Sequence, residues 1–381
     1  MEYTYVASCL FGLEGLLGEE IDALGYKRIS TIDGRVTFKG DENAAARCNI
    51  GLRYAERLYF LIGSFEATDF ESLFENTKRL PWEDFIGSKN AFPVKGHSVK
   101  SKLFSIPDCQ SIIKKAVVER LKSAYNISWF EETGTKYQIE FFILNDNVSL
   151  MIDASGTALH KRGYRPVSNA APLRETLAAA LAKISRPRDD VLFWDPMCGS
   201  GTIAIEAAML QMNIAPGLKR GFDAENFAFL PSEIWKKARE EAKENIRVDS
   251  AFEAYASDID PECVRLAREN AYRAGVSGHI KIFERNALEI TTGGRRGTIV
   301  CNPPYGERMF TMEQTEKLYR DMGRHFAALD NWQIYVLTSH EGFERLYGRK
   351  ADKVRKLYNG MIKCNFYQFF RNKNKASDTK A

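Results

Sequence analysis

Apolar positions along the chain switch between a period of two and a period near 3.6, and the switching predicts the elements. Residues 3–9 are rich in β-formers. Leu13, Leu16, Leu17, Ile21 and Leu24 follow helical spacing, and Gly25 can end that helix. A strand over 35–39, a helix over 43–52 and a strand over 57–62 complete a small α+β unit, 1–65. A second α+β unit spans 66–155. It carries a helix over 70–77, a strand over 97–103, and a helical stripe at Ile112, Ile113, Ala116, Val117 and Leu121. Strands over 137–144 and 148–152 flank Asn145-Asp146-Asn147, a hairpin signal.

Residues 156–171 read as a linker. From 172 to 371 strands and helices alternate: a helix through Leu173, Leu177, Leu181 and Ile184, a buried strand over 191–194, then a helix over 200–212. A charged helix over 232–246 precedes a strand over 252–257 and a helix over 261–274. Strands over 279–283, 298–301 and 332–337 and a helix over 313–328 follow. This succession predicts an α/β fold with a doubly wound sheet. Asn359-Gly360 lies between apolar stretches 354–358 and 361–370, so the sheet should end in an antiparallel hairpin. Residues 372–381 read as a disordered tail.

Composition narrows the function. Of 381 residues, 44% are hydrophobic and 27% charged, which excludes a largely disordered or collagen-like chain. Lys and Arg number 54 against 50 Asp and Glu, so a uniformly basic polymer binder is excluded, but local basic patches are not. Seven scattered cysteines, none at C-x-x-C spacing, give neither a disulfide framework nor a zinc site. No metal is assigned. No signal-peptide pattern opens the chain and no apolar run suffices for a membrane span, so a cytoplasmic protein is expected.

One patch lies between Lys95 and Lys122, where Lys100, Lys102, Lys114 and Lys115 are among seven cations facing only Asp108 and Glu119. It is either a solvated face or a phosphate-contacting surface. Lys161, Arg162, Tyr164 and Arg165 at the junction combine charge with an aromatic ring, as backbone-tracking, base-stacking segments do. A plain linker has the same composition.

Two motifs carry chemistry. Asp195-Pro-Met-Cys-Gly-Ser-Gly-Thr202 follows a buried strand and opens a helix. Its glycines allow close backbone approach to a ligand, and the helix start offers free N–H groups. No lysine is present for a P-loop. Gly199-x-Gly201-x-x-Ala204 also fits a dinucleotide fingerprint, and Asp258 ends the next strand, placed to bind ribose hydroxyls of either NAD or S-adenosylmethionine.

The second motif is Asn302-Pro303-Pro304-Tyr305, after the apolar strand 298–301. The exocyclic amine of a nucleobase is delocalised and a poor nucleophile. The Asn302 amide oxygen and the Pro303 carbonyl can accept its two hydrogens, and the prolines hold those acceptors rigid. Tyr305 offers a ring on which an extruded base can stack.

Together these motifs resemble the class I, Rossmann-like methyltransferases of exocyclic amines. The whole chain is similar to the THUMP-containing ribosomal RNA guanine-N2 methyltransferases (RlmL-like), also catalogued as N6-adenine-specific DNA methylases. Leu159-His-Lys-Arg-Gly-Tyr-Arg and Ala171-Pro-Leu-Arg-Glu-Thr are further matching segments. The resemblance implies a ferredoxin-like unit, a THUMP domain and a methyltransferase sheet. It implies that Asp195, Gly199, Ser200, Gly201 and Thr202 line the methionine end of S-adenosylmethionine. Asp258 would hold the ribose, Ile259 would lie against the adenine, and Asn286 with Ala287 would meet the adenine edge. Pro172, Leu173, Arg174 and Glu175 would border that pocket. Asn302, Pro303 and Tyr305 would be catalytic. The expected substrate is a guanosine N2 in 23S ribosomal RNA or its large-subunit precursor, held through shape and phosphates. Transfer RNA, adenine N6 and a glutamine amide share the chemistry. A non-catalytic RNA-binding protein and a dehydrogenase are the rivals of another class.

Overall fold

The computed structural model describes residues 2–166, 173–306 and 311–370. The expected tail 372–381, with Ala171 and Pro172, lies outside them. In chain order the elements begin β1 (Tyr3–Cys9), α1 (Glu14–Ala23), β2 (Lys27–Ile32), β3 (Arg35–Gly40), α2 (Asn43–Gly51) and β4 (Ala55–Glu66). Next come α3 (Phe70–Arg79), β5 (Val94–Val99), α4 (Ile106–Tyr125), β6 (Ile139–Leu144) and β7 (Asn147–Asp153). Then follow α5 (Glu175–Ser185), β8 (Leu192–Asp195), α6 (Thr202–Gln211), α7 (Glu233–Glu244), β9 (Ala254–Asp258) and α8 (Pro261–Ala274). The last are β10 (Ile280–Glu284), β11 (Gly297–Cys301), α9 (Met312–Ala327), β12 (Trp332–Thr338), α10 (Phe343–Tyr347), β13 (Lys353–Asn359) and β14 (Ile362–Phe369).

The chain divides into two units. The first holds the residues up to Cys9, Glu14–Leu159 and Gly217–Ala242; the second holds Leu10–Leu13, His160–Pro216 and the residues from Lys243 on. The first unit is built on one seven-stranded sheet, β2-β3-β1-β4-β7-β6-β5. The 12-residue β4 makes it continuous, pairing β1 on one side and β7 on the other. The α4 stripe is buried at Ile113, Ala116, Val117 and Leu121, as its helical spacing requires. Asn145 and Asp146 both have positive φ and turn β6 into β7.

Gly217–Ala242 packs with this first unit, although it lies within the stretch read as a single run, 172–371. Gly217 N–H donates to Ile50 O at 2.8 Å, Phe227 stacks on Tyr137 with centroids 4.3 Å apart, and Arg47 pairs with Glu241 at 2.8 Å.

The second unit is built on a sheet ordered β10-β9-β8-β11-β12-β14-β13. The strands from β10 to β12 are parallel, and β14 and β13 are antiparallel. It is the expected α/β sheet with a terminal hairpin. Strand order reverses at β8, which places the crevice between β8 and β11 at their carboxyl ends. Behind it lies a core of Trp194, Ile299, Tyr319, Met322, Phe326, Val336 and Phe343. Among the described residues no helix is long and apolar enough to cross a membrane.

Three local differences from the sequence reading have physical causes. The fully exposed β2 is a sheet-edge strand, and its six residues show no buried face to read. The strand expected at 97–103 is β5, which ends where Lys100 takes φ +49. The final turn is Gly360-Met361, closed by the pair Asn359 and Ile362, because Gly360 takes the positive φ at its first central position.

Candidate active site

The site is assembled at the carboxyl ends of four adjacent parallel strands. Register sets their relative positions. Trp194 of β8 is level with Ile299 of β11, so Asp195 and Asn302 leave neighbouring strands at the same end. Asp195 is level with Ala256 of β9, two residues before Asp258, and Asp258 is level with Glu284, two residues before Asn286.

The glycine turn is fastened to β9. Cys198 N–H donates to Ser257 O at 3.0 Å, and Gly199 N–H donates to Asp258 Oδ2 at 2.8 Å. Asp260 N–H donates to Asp258 Oδ1 at 3.1 Å. The carboxylate, with up to four acceptor positions, keeps capacity for a further donor. Gly201 has φ +82 and packs so tightly that a Cβ would lie 3.0 Å from Ala267 Cβ. Gly199 has φ +51, but a Cβ there would meet nothing within 4 Å. One glycine serves helix packing; the other faces open space. Thr202 begins α6, Ser200 Oγ lies 3.2 Å from Thr202 Oγ1, and Asn270 holds Ser200 O at 3.0 Å.

Asp195 is buried, and burial pushes its carboxyl well above the ordinary aspartate range. Burial raises Asp258 as well. Ile259 stands exposed beside it, at 66%. Asn286 Oδ1 caps the next turn by accepting Leu288 N–H at 3.0 Å, and Ala287 is buried.

On β11's side, Pro303 is buried and Asn302 and Tyr305 are half-buried. The Tyr305 hydroxyl donates to Asn302 Oδ1. Cys364 Sγ of β14 lies 3.7 Å from the Tyr305 hydroxyl. Tyr319 of α9 donates to Pro304 O at 2.8 Å and is 2.9 Å from Thr338 Oγ1. The motif is thus braced from behind by α9 and the terminal hairpin.

A family model described as "RMKL-like, methyltransferase domain" matches residues 162–368. The chain belongs to this RMKL-like family. Its first unit matches the RlmL ferredoxin-like domain over 4–59 and the THUMP domain over 67–153. YpsC of Bacillus subtilis (strain 168), described as a candidate RNA methyltransferase, is 46% identical over 97% of this chain and 96% of its own length. The "Ribosomal RNA large subunit methyltransferase K/L" of Syntrophotalea carbinolica is 32% identical over 96% of this chain but only 53% of its own length. The chain thus spans about half of that relative. The solved structure of SMU.472, described as a candidate methyltransferase complexed with SAH, is 39% identical, with a TM-score of 0.92 over 98% of this chain and 99% of that one.

Within this RMKL-like member, three residues expected to contact RNA do something else. Arg162, Tyr164 and Arg165 are turned into the second unit. Tyr164 donates to Glu206 Oε1 at 3.0 Å, and Arg162 Nε lies 3.6 Å from the same oxygen. Arg165 pairs with Glu175 at 3.0 Å and donates to Leu173 O at 3.0 Å and Thr202 Oγ1 at 2.8 Å. Buried cations need buried acids, and Glu206 and Glu175 supply them. Lys114 is likewise engaged, 2.5 Å from Glu132 and 3.5 Å from the Phe92 ring centroid. Lys100, Lys102, Lys115 and Lys161 are exposed.

The sequence reading missed Asn270, Tyr319 and Thr338, which brace the two motifs. Nothing in a single sequence marks them. Each is a polar side chain on a core-facing position, satisfied by a partner far along the chain.

Proposed function

We propose that this RMKL-like methyltransferase transfers a methyl group from S-adenosylmethionine to the exocyclic N2 of a guanosine in 23S ribosomal RNA or its large-subunit precursor. One observation carries the reading: Asn302-Pro-Pro-Tyr305 leaves β11 directly beside the glycine turn that leaves β8.

The residues present fit the cofactor. Gly199 faces open space, Asp258 retains acceptor capacity for ribose hydroxyls, and exposed Ile259 offers an apolar surface to adenine. When bound, the cofactor supplies a sulfonium-activated methyl group. Gly199, Ser200, Gly201 and Thr202 would hold its methionine end, and Asn286 and Ala287 would lie at the adenine edge.

The protein's part is positioning. Tyr305 holds the Asn302 amide by donating to its oxygen, which can accept one more hydrogen bond. The Pro303 carbonyl is the second acceptor. Two acceptors on one amine orient its lone pair and stabilise the positive charge that grows on nitrogen during transfer. No strong base is required before transfer, since the proton is lost from an already acidic cationic amine. The proposed setting of the activity is the cytoplasm.

The test is methyl transfer from labelled cofactor to ribosomal RNA free of native modifications, followed by nucleoside mass analysis. N2-methylguanosine is the expected product. N6-methyladenosine would keep the methyltransferase and overturn the target base. Label only on transfer RNA would overturn the ribosomal substrate.

A further inference from the structure

The terminal hairpin of the second unit carries a charge pattern that the cofactor site does not use. From Lys353 to Phe370 there are four cations, Lys353, Arg355, Lys356 and Lys363, and no acid. All four are exposed, and among the described residues none forms an ion pair with a carboxylate. This is unusual in a chain whose other surface arginines and lysines so often have an acidic neighbour.

Register sorts the hairpin into two faces. Leu357 pairs with Cys364, and both are buried on the side where Cys364 meets Tyr305. The adjacent pairs, Tyr358 with Lys363 and Lys356 with Asn365, project from the opposite face. There Lys356 Nζ sits 5.5 Å from the Tyr358 ring centroid, and the Phe11 ring meets Tyr358 edge-on at 5.7 Å. Phe11 is 52% exposed and comes from Leu10–Leu13, which belongs to this unit. Gly12 lets that segment lie close: its φ is +90, and a Cβ would be 2.8 Å from Lys356 O. At the tip Met361 is 97% exposed.

We infer that Phe11, Lys356, Tyr358 and Lys363 form a single-strand RNA contact surface that seats the nucleotides flanking the target base. The inference rests on the RNA reading of the active site. The exposed Phe11 ring and the half-buried Tyr358 ring can stack on bases of any sequence, and the cations beside them neutralise phosphates; the combination is that of single-strand binding surfaces. The surface belongs to the same hairpin whose other face braces Tyr305. Lys363 and Tyr358 are each one residue from the pair that abuts Tyr305. A cation beside an aromatic ring, with no acid within the hairpin, matches the charge of a phosphate backbone better than that of a neutral protein surface.

The experiment uses the full chain and unmodified ribosomal RNA made by transcription. Lys356→Gln with Lys363→Gln should flatten the log–log salt dependence of RNA binding by about 1.4, as expected for two single-strand phosphate contacts. Tyr358→Ala should raise the KM for RNA about tenfold through lost stacking, and Tyr358→Trp should restore it. Cofactor affinity by calorimetry and thermal stability should stay at wild-type values in the double-glutamine variant. If wild-type protein methylates the RNA and the variants keep its KM and salt slope, the surface is overturned and the RNA reading stands. If wild-type protein neither binds nor methylates RNA, both fail.

Discussion

The Tyr305 hydroxyl donates a hydrogen bond to the amide oxygen of Asn302, three residues earlier in the same loop. Under the proposed function the tyrosine would have two separable tasks: its ring would support the base, and its hydroxyl would keep the amide from rotating. Tyr305→Phe should keep the first and lose the second. We expect its single-turnover rate to fall about three- to tenfold, the worth of one ordinary hydrogen bond. Asn302→Ala should lose about 10²–10³-fold, as for removal of a preorganised polar group in an active site. Neither should change cofactor affinity; an equal loss of affinity would make Asn302 a pocket residue.

Asp258 gives a pH dependence with a definite sign. Under the proposed function the carboxylate is the form that would bind ribose, and burial raises its pKa above the ordinary 3.8. Cofactor affinity should be flat near neutrality and fall on acidification, with a midpoint above 3.8. Asp258→Asn should weaken binding and remove this dependence. Calorimetry between pH 4 and 8 measures both.

Arg165 should behave as a brace. Its side chain is buried against Glu175 and reaches Thr202 at the start of α6. Arg165→Ala would leave Glu175 without its cation, at a cost of about 3–5 kcal/mol. Denaturant unfolding should show that loss, and calorimetry should show weaker cofactor binding. The salt slope for RNA should not change, which separates this role from a phosphate contact.

Within the 95–122 patch the lysines should divide. Lys114 is held by Glu132 and the Phe92 ring, so Lys114→Ala should lower thermal stability and leave the RNA salt slope intact. Replacing exposed Lys100, Lys102 and Lys115 together should flatten that slope while the melting temperature holds. Anisotropy titrations at several salt concentrations make the comparison.

The methyltransferase sheet was legible because its signals are local. An apolar strand followed at once by glycines or prolines marks β8 and β11, and Asp258 closes β9 in the same way. The terminal hairpin was legible for the same reason, except that Gly360 sits at the first rather than the second turn position. What escaped depends on distant partners. Arg162, Tyr164 and Arg165 have the composition of an RNA-facing segment, and only Glu206 and Glu175 decide that they turn inward. The strand β2 escaped because an exposed edge needs no apolar face. The membership of Gly217–Ala242 escaped because its contacts are to Ile50, Arg47 and Tyr137.

That membership has a consequence for how the protein is made. During synthesis all seven strands of the first sheet have emerged by Asp153, yet Phe227, which covers Tyr137, is still unmade. The ribosome must first deliver β8, the glycine turn and α6, which belong to the other unit. The first unit can therefore be complete only once Ala242 is made, after part of the other unit, and the second only after the residues from Lys243 on. A chain cut after Leu159 would leave Tyr137 uncovered, however intact its sheet.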